Sequence, residues 1–303
     1  MSPRTRRKSM RKAYVPRKKP SHRHVKVRGM KYTLHCWGDS DAEPVFLLHG
    51  WVDTGMSFQF VADAMDNDWY LIAPDWRGFG DTDWSKEGYW FPDYLGDLEK
   101  ILDQLSPDAP VKLVGHSMGG NAAWLYAGIR PERVSHAVSL DVFGLPAVPT
   151  DETPARYGKW LDQLKKPQRF TEYDAIDGIV KLINGLAPRL PPEQALFLAR
   201  HWSRKTGEGK YVLKADPSHK RTYPVPYRRE ESRSCWKLSK AKTLLILAGD
   251  SDFYKKYYSE GYQLDVKECF DALVEVVIKD SGHMVHLEQP EELARVLETF
   301  LTL

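Results

Sequence analysis

The chain has 303 residues, 42% of them hydrophobic and 28% charged, which is enough apolar material to bury a substantial core and excludes a globally disordered protein. A net charge of +3 hides an asymmetry, because residues 1–28 carry twelve Lys and Arg and no Asp or Glu, which leaves the remainder at −9. No apolar run reaches the roughly 18 to 20 residues that cross a bilayer, and the start lacks the apolar stretch of a secretory signal, so a cytoplasmic location is expected.

Residues 1–24 are rich in Arg, Lys, Pro and Ser and poor in aliphatic residues. Such a segment buries too little surface to offset its ordering entropy, and it is expected to be a disordered basic tail able to meet anionic surfaces. From Val25 to Trp37 apolar and polar residues alternate around Gly29, the pattern of a strand hairpin at a sheet edge. Pro44–Leu48 is then continuously apolar and ends in His49-Gly50-Trp51, as a strand covered on both faces would.

The same grammar recurs at Trp69–Ala73, Val111–Val114, Val134–Leu140, Thr243–Ala248 and Leu273–Ile278. Between these runs, Phe58–Met65, Tyr94–Leu105, Met118–Ile129 and Pro290–Leu301 space their apolar residues as helices do. Strand alternating with helix predicts a mostly parallel sheet flanked by helices. Residues 144–240 break the rhythm: charges, prolines and aromatics replace buried-strand runs, with helices predicted near Ala155–Leu164, Tyr173–Asn184 and Pro192–Trp202. The expected organisation is therefore a core of residues 25–143 and 241–303 with a helical cap inserted between them.

The chemistry points to Gly115-His-Ser-Met-Gly119. Glycines two residues either side of Ser117 allow a strand, a sharp turn and a helix to approach closely, with the hydroxyl held at the turn. A serine needs a base to take its proton and an acid to orient that base. His283, a few residues past the last strand run, is the candidate base, and the preceding strand ends in Gly249-Asp-Ser-Asp252. Three widely spaced cysteines, Cys36, Cys235 and Cys269, form no metal-ligand pattern, and no phosphate-binding loop is present. Neither a metal nor an organic cofactor is expected.

With these motifs in order, the chain resembles the α/β-hydrolase fold family of the serine type from about Lys26 to Leu303. The resemblance implies Ser117 as nucleophile and His283 as general base. Its Gly-x-x-Asp pattern maps onto Gly249 and Asp252, making Asp252 the first choice of orienting acid, with Asp250 and Asp141 as alternatives. It further implies the backbone N–H groups of Trp51 and Met118 as donors to an oxyanion. His286, His116 and His49 are expected to be structural, and Asp75, Arg77 and Asp81 to form ion pairs.

Relatives that attack carbon by displacement carry Asp at the elbow, so Ser117 favours attack on a carbonyl and hydrolysis of a carboxylic ester through an acyl-enzyme. Thioesters, lactones, amides and carbon–carbon bonds of β-diketones suit the same triad, and a non-catalytic small-molecule-binding protein is the alternative of another class. Trp84, Trp90, Trp160, Phe170, Tyr173, Phe197, Trp202 and Tyr211 suggest a pocket for an apolar or aromatic acyl substrate.

Overall fold

Alternation inside the apolar runs decides which side of the central sheet each residue faces. The computed structural model describes residues 13–303. It opens with a hairpin of β1 (Ser21–Val27) and β2 (Met30–Trp37), turning through Arg28 and Gly29, both at positive φ. β3 (Pro44–Leu48) leads through a 3₁₀ turn at Gly55–Phe58 into α1 (Gln59–Ala64), and β4 (Tyr70–Pro74) precedes α2 (Phe91–Leu105). β5 (Val111–His116), α3 (Met118–Ile129) and β6 (Val134–Leu140) complete the first part of the sheet.

Between β6 and β9 lie α4 (Thr153–Leu164), α5 (Ile176–Leu186), α6 (Pro192–Trp202), the short strands β7 (Ser203–Lys205) and β8 (Tyr211–Leu213), and α7 (Arg229–Trp236). β9 (Lys242–Ala248), α8 (Asp252–Ser259), α9 (Tyr262–Lys267), β10 (Leu273–Ile278), α10 (Val285–Glu288) and α11 (Pro290–Leu301) finish the chain. The eight-stranded sheet has the order β1-β2-β4-β3-β5-β6-β9-β10. The β1/β2 and β2/β4 pairs are antiparallel, and every other pair is parallel.

The period of two sorts the core. Phe46, Leu48, Leu113, Leu245 and Leu247 face one side, where they meet Leu98 and Ile101 of α2 and Trp124 of α3. Val45, Leu47, Val114, Leu244 and Ile246 face the other, against Val61 of α1 and Leu297 and Phe300 of α11. Both faces of the parallel strands β3, β4, β5, β6 and β9 are thus dry, which is why their sequences are mostly apolar, whereas the edge strand β10 is partly exposed.

The inserted segment carries the helices α4 to α7 together with the short β7–β8 hairpin. The β7–β8 hairpin gave no sequence signal because three-residue strands are too short to show a period. Several contacts tie this segment to the core. Trp202 Nε1 donates to Ser57 Oγ at 3.0 Å, Asp216 N to the Gly78 carbonyl at 2.8 Å, and Arg229 Nη1 to the Phe143 carbonyl at 2.9 Å.

The basic tail also needs correction. Its residues 1–12 lie outside the described residues, but residues 13–24 are held by the fold. The Tyr14 hydroxyl donates to the Asp63 carboxylate, which also accepts the backbone N–H groups of Arg17 and Lys18 at 3.0 and 2.7 Å. The Tyr14 ring meets Phe60 and Phe197 edge-on, and His22 and His24 pair with His35 and Thr33 across the β1–β2 ladder. Composition alone misled here, because one aromatic ring and one buried carboxylate on α1 supply what aliphatic residues do not. No helix among the described residues is long and apolar enough to cross a membrane.

Candidate active site

Ser117 sits between β5 and α3 at φ +51°, ψ −113°, a conformation that L-residues rarely adopt. The neighbouring glycines explain how the turn fits. A Cβ on Gly115 would collide with the backbone of Gly119, and one on Gly119 with the Leu48 carbonyl of β3. Strand, turn and helix therefore touch backbone to backbone. Met118 is the first residue of α3, so its N–H belongs to the helix start, which has no intrahelical acceptor and favours negative charge.

Across the sheet edge, His283 lies on the loop after β10, where His116, the residue before Ser117, donates from Nε2 to its carbonyl at 2.8 Å. Burial, reinforced by the facing rings of His286 and His283, holds the His116 pKa well below the usual histidine value, so His116 is a neutral donor. His283 Nδ1 meets Asp141 Oδ2 at 2.8 Å. Asp141 is the residue directly after β6, fully buried, and its φ is +52°. Its other oxygen accepts the Ala248 N–H at 2.9 Å and the Ser251 hydroxyl at 2.8 Å. This carboxylate is thus fixed by two donors from β9 and its loop, and one oxygen remains for the imidazole.

That geometry corrects the preferred acid. Asp252 starts α8 with its side chain 86% exposed and reaches Lys255 at 3.2 Å, away from His283. Asp250 pairs with Arg189 at 2.5 Å. The sequence pattern placed the acid after β9, whereas the carboxylate brought to His283 comes from the adjacent strand end. The signal available was an acidic residue directly after the run Val134–Leu140, but sequence spacing does not reveal which of two neighbouring strand ends meets His283.

The polar residues around this centre pair with one another. His49 Nε2 accepts the Trp76 N–H at 2.9 Å, and burial lowers the His49 pKa. Arg77 clamps Asp97 with Nε at 2.5 Å and Nη2 at 2.6 Å, Asp75 meets His35 at 3.0 Å, and Asp81 meets Lys214 at 2.8 Å. His286 is fully buried and lies 3.3 Å from Asp53. With His116 these two bring three ligand-type atoms within 4.8 Å of one another, a buried grouping that the sequence did not reveal. Glu288 was also missed: its buried carboxylate accepts the Gly282 N–H at 2.6 Å, and thereby fixes the residue before His283.

A cavity of about 960 Å³ opens beside the serine turn, between α2 and α3 of the core and the inserted segment. Trp51 and Met118 line it, along with Trp90, Leu125, Leu145 and Trp160. Of the eight aromatics expected at a pocket, Trp90 and Trp160 are on its wall. Trp202 and Phe197 instead pack within the core, and Trp84 is exposed under Arg204. Those rings were needed to seat the insertion. Trp51 itself is 53% exposed.

A mostly parallel sheet that presents a serine on a strained strand-to-helix turn, with a histidine–carboxylate pair from the following strand ends, defines an α/β protein of the nucleophile-elbow class. The chain belongs to the alpha/beta hydrolase fold family, whose model matches residues 43–290. It is 29% identical over 276 residues to a serine hydrolase-like protein of Danio rerio, covering 88% of this chain and 83% of that one. It is 28% identical over 318 residues to epoxide hydrolase 2 of Siraitia grosvenorii, covering 93% and 98%. Among solved structures, the thioesterase domain from the curacin biosynthetic pathway superposes with a TM-score of 0.84 at 20% identity, covering 93% of this chain and 99% of that domain.

Proposed function

We propose that the chain is a serine hydrolase that cleaves a carboxylic ester through an acyl-enzyme. Ser117 attacks the carbonyl while His283 takes its proton, and Asp141 holds the imidazole by Nδ1 and stabilises the imidazolium as it forms. The backbone N–H groups of Trp51 and Met118 receive the developing oxyanion, each such donor contributing about 2.7 to 4 kcal/mol. His283 then returns the proton to the leaving alcohol, and water repeats the sequence on the acyl-enzyme. The cavity lined by Trp90, Leu125, Leu145 and Trp160 accommodates an apolar part of the substrate.

The observation that carries this reading is the 2.8 Å His283–Asp141 pair, on a loop whose His283 carbonyl accepts from His116, the residue before the positive-φ Ser117. The serine, and the name of the Danio rerio relative, favour a serine mechanism over the displacement chemistry associated with an aspartate at the elbow. The test is labelling by a fluorophosphonate alongside hydrolysis of a panel of nitrophenyl esters. Both should be present in the wild type and lost in Ser117→Ala and His283→Ala. A folded wild type that neither labels nor hydrolyses any ester overturns the reading in favour of a binding protein.

A further inference from the structure

Among the described residues, two arginines on the cavity wall form no ion pair. Arg156 lies on α4 and Arg221 on the strap that follows the 3₁₀ turn Pro217–Lys220, both in the inserted segment, and both line the cavity that also contains Trp51 and Met118. Each is half-buried, and each has a fully buried Nε with no hydrogen-bond partner. Arg156 spends Nη2 on the Tyr223 carbonyl at 2.9 Å. Among the described residues no ion pair forms with either guanidinium.

The other buried arginines of this protein are treated differently. Arg77 is clamped by Asp97 and Asp93, and Arg229 is paired with Asp265 at 2.5 Å. Acidic residues do reach the cavity, but Glu87, Glu152 and Glu231 are all exposed, and Glu231 pairs with Arg228. A planar guanidinium fork on the wall of a cavity, with no ion pair among the described residues, matches a carboxylate or phosphate by paired hydrogen bonds.

We infer that the cavity binds a substrate whose apolar chain carries an ionised oxyacid group, carboxylate or phosphate, held by Arg156 and Arg221. This inference rests on the ester-hydrolase reading for the reaction but not for the recognition. The apolar wall from Trp90, Leu125 and Trp160 takes the chain, and the arginines select molecules with a second, anionic end over uncharged ones of equal length. Selectivity thus comes from the inserted segment, and the reacting groups from the core.

Binding is measured by calorimetry on the full chain carrying Ser117→Ala, so that no turnover intervenes and the ligand can enter in either direction. The probes are ethyl octanoate, the monoethyl ester of suberic acid, and the corresponding ω-phosphono ester. The acidic esters should bind at least about tenfold more tightly than the neutral one, the gain expected of charge-assisted hydrogen bonds. The tighter of the two acidic probes identifies the oxyacid. Adding Arg156→Gln and Arg221→Gln should bring the ratio towards one, Arg156→Lys should recover part of it, and an unchanged melting temperature shows that the fold survives.

Equal binding of neutral and acidic esters, or a preference that persists in the double glutamine variant, overturns the inference. A preference with the expected arginine dependence, in a protein whose wild type hydrolyses no ester, leaves the inference standing and removes the hydrolase reading.

Discussion

The ends of β6 and β9 are neighbours in the sheet, with Leu140 in register with Ile246, yet their acids have opposite surroundings. Asp141 is fully buried and saturated by Ala248 N–H, the Ser251 hydroxyl and His283. Asp250 and Asp252 are exposed and held by Arg189 and Lys255. What separates the acid that meets His283 from the two surface acids is the number of donors that fix it in a dry site, not its place in a short motif. An ionised carboxylate is tolerated in such a site only when its lone pairs are occupied.

The largest expected effect is on the group that the buried acid serves. Ser117→Ala should lower ester turnover on the order of 10⁴-fold or more, leaving the residual rate due to binding and oxyanion stabilisation. Asp141→Asn should follow at roughly 10³- to 10⁴-fold in kcat, because the amide no longer fixes the imidazole in the useful tautomer. Asp252→Asn, assayed beside it, should change kcat by less than about twofold, the ordinary range for an exposed side chain away from the site. If Asp252→Asn fell as far as Asp141→Asn, the contrast between the two strand ends would be broken.

A second contrast lies in the histidines. Burial lowers the pKa of His219 to about 3, and burial, with lysines near His136, lowers His136 and His201 to about 4. The unfolded chain binds these protons near pH 6.5 and the folded chain does not. Stability therefore declines as pH falls from 6.5 towards 3 to 4. His219 stacks between Phe79 and Tyr89, so the seam between insertion and core is directly exposed to this penalty. The melting temperature should fall by several degrees between pH 7 and pH 4, and His219→Gln should flatten part of the slope. A melting temperature independent of pH across that range would contradict the assignment.

The smallest effect sharpens the comparison from the side of the loop. Glu288→Gln keeps the acceptor for Gly282 N–H but removes the charge facing Arg189. Turnover should drop by a fewfold at most, with KM unchanged, as the loop bearing His283 loses part of its fixation.

Much of this architecture was legible because the physics that builds it is periodic. Runs such as Val134–Leu140 and Leu273–Ile278 coincide with β6 and β10, and Pro290–Leu301 coincides with α11, since a run rich in β-branched apolar residues or a helix with one dry stripe leaves a readable pattern. The positions of Ser117 at a strand-to-helix turn and of His283 on the loop after β10 were legible from glycine placement and from the preceding apolar runs. Asp141 was named only as an alternative to Asp252, because sequence spacing does not tell which neighbouring strand end meets His283. Nor were Arg156 and Arg221 singled out: in sequence they are two charges among many, and only the structure shows that they line a cavity without an ion pair among the described residues.

The segment carrying Tyr14 and Lys18 has a practical consequence. It crosses from Asp63 on α1 to Phe197 on α6, and so fastens the inserted region to the sheet from outside. A shortened chain beginning after residue 24 would lose this outer fastening as well as the leading half of an edge strand. Trimming at residue 12 spares both, so the two truncations separate the charge of the leader from the mechanical work of the stretch behind it.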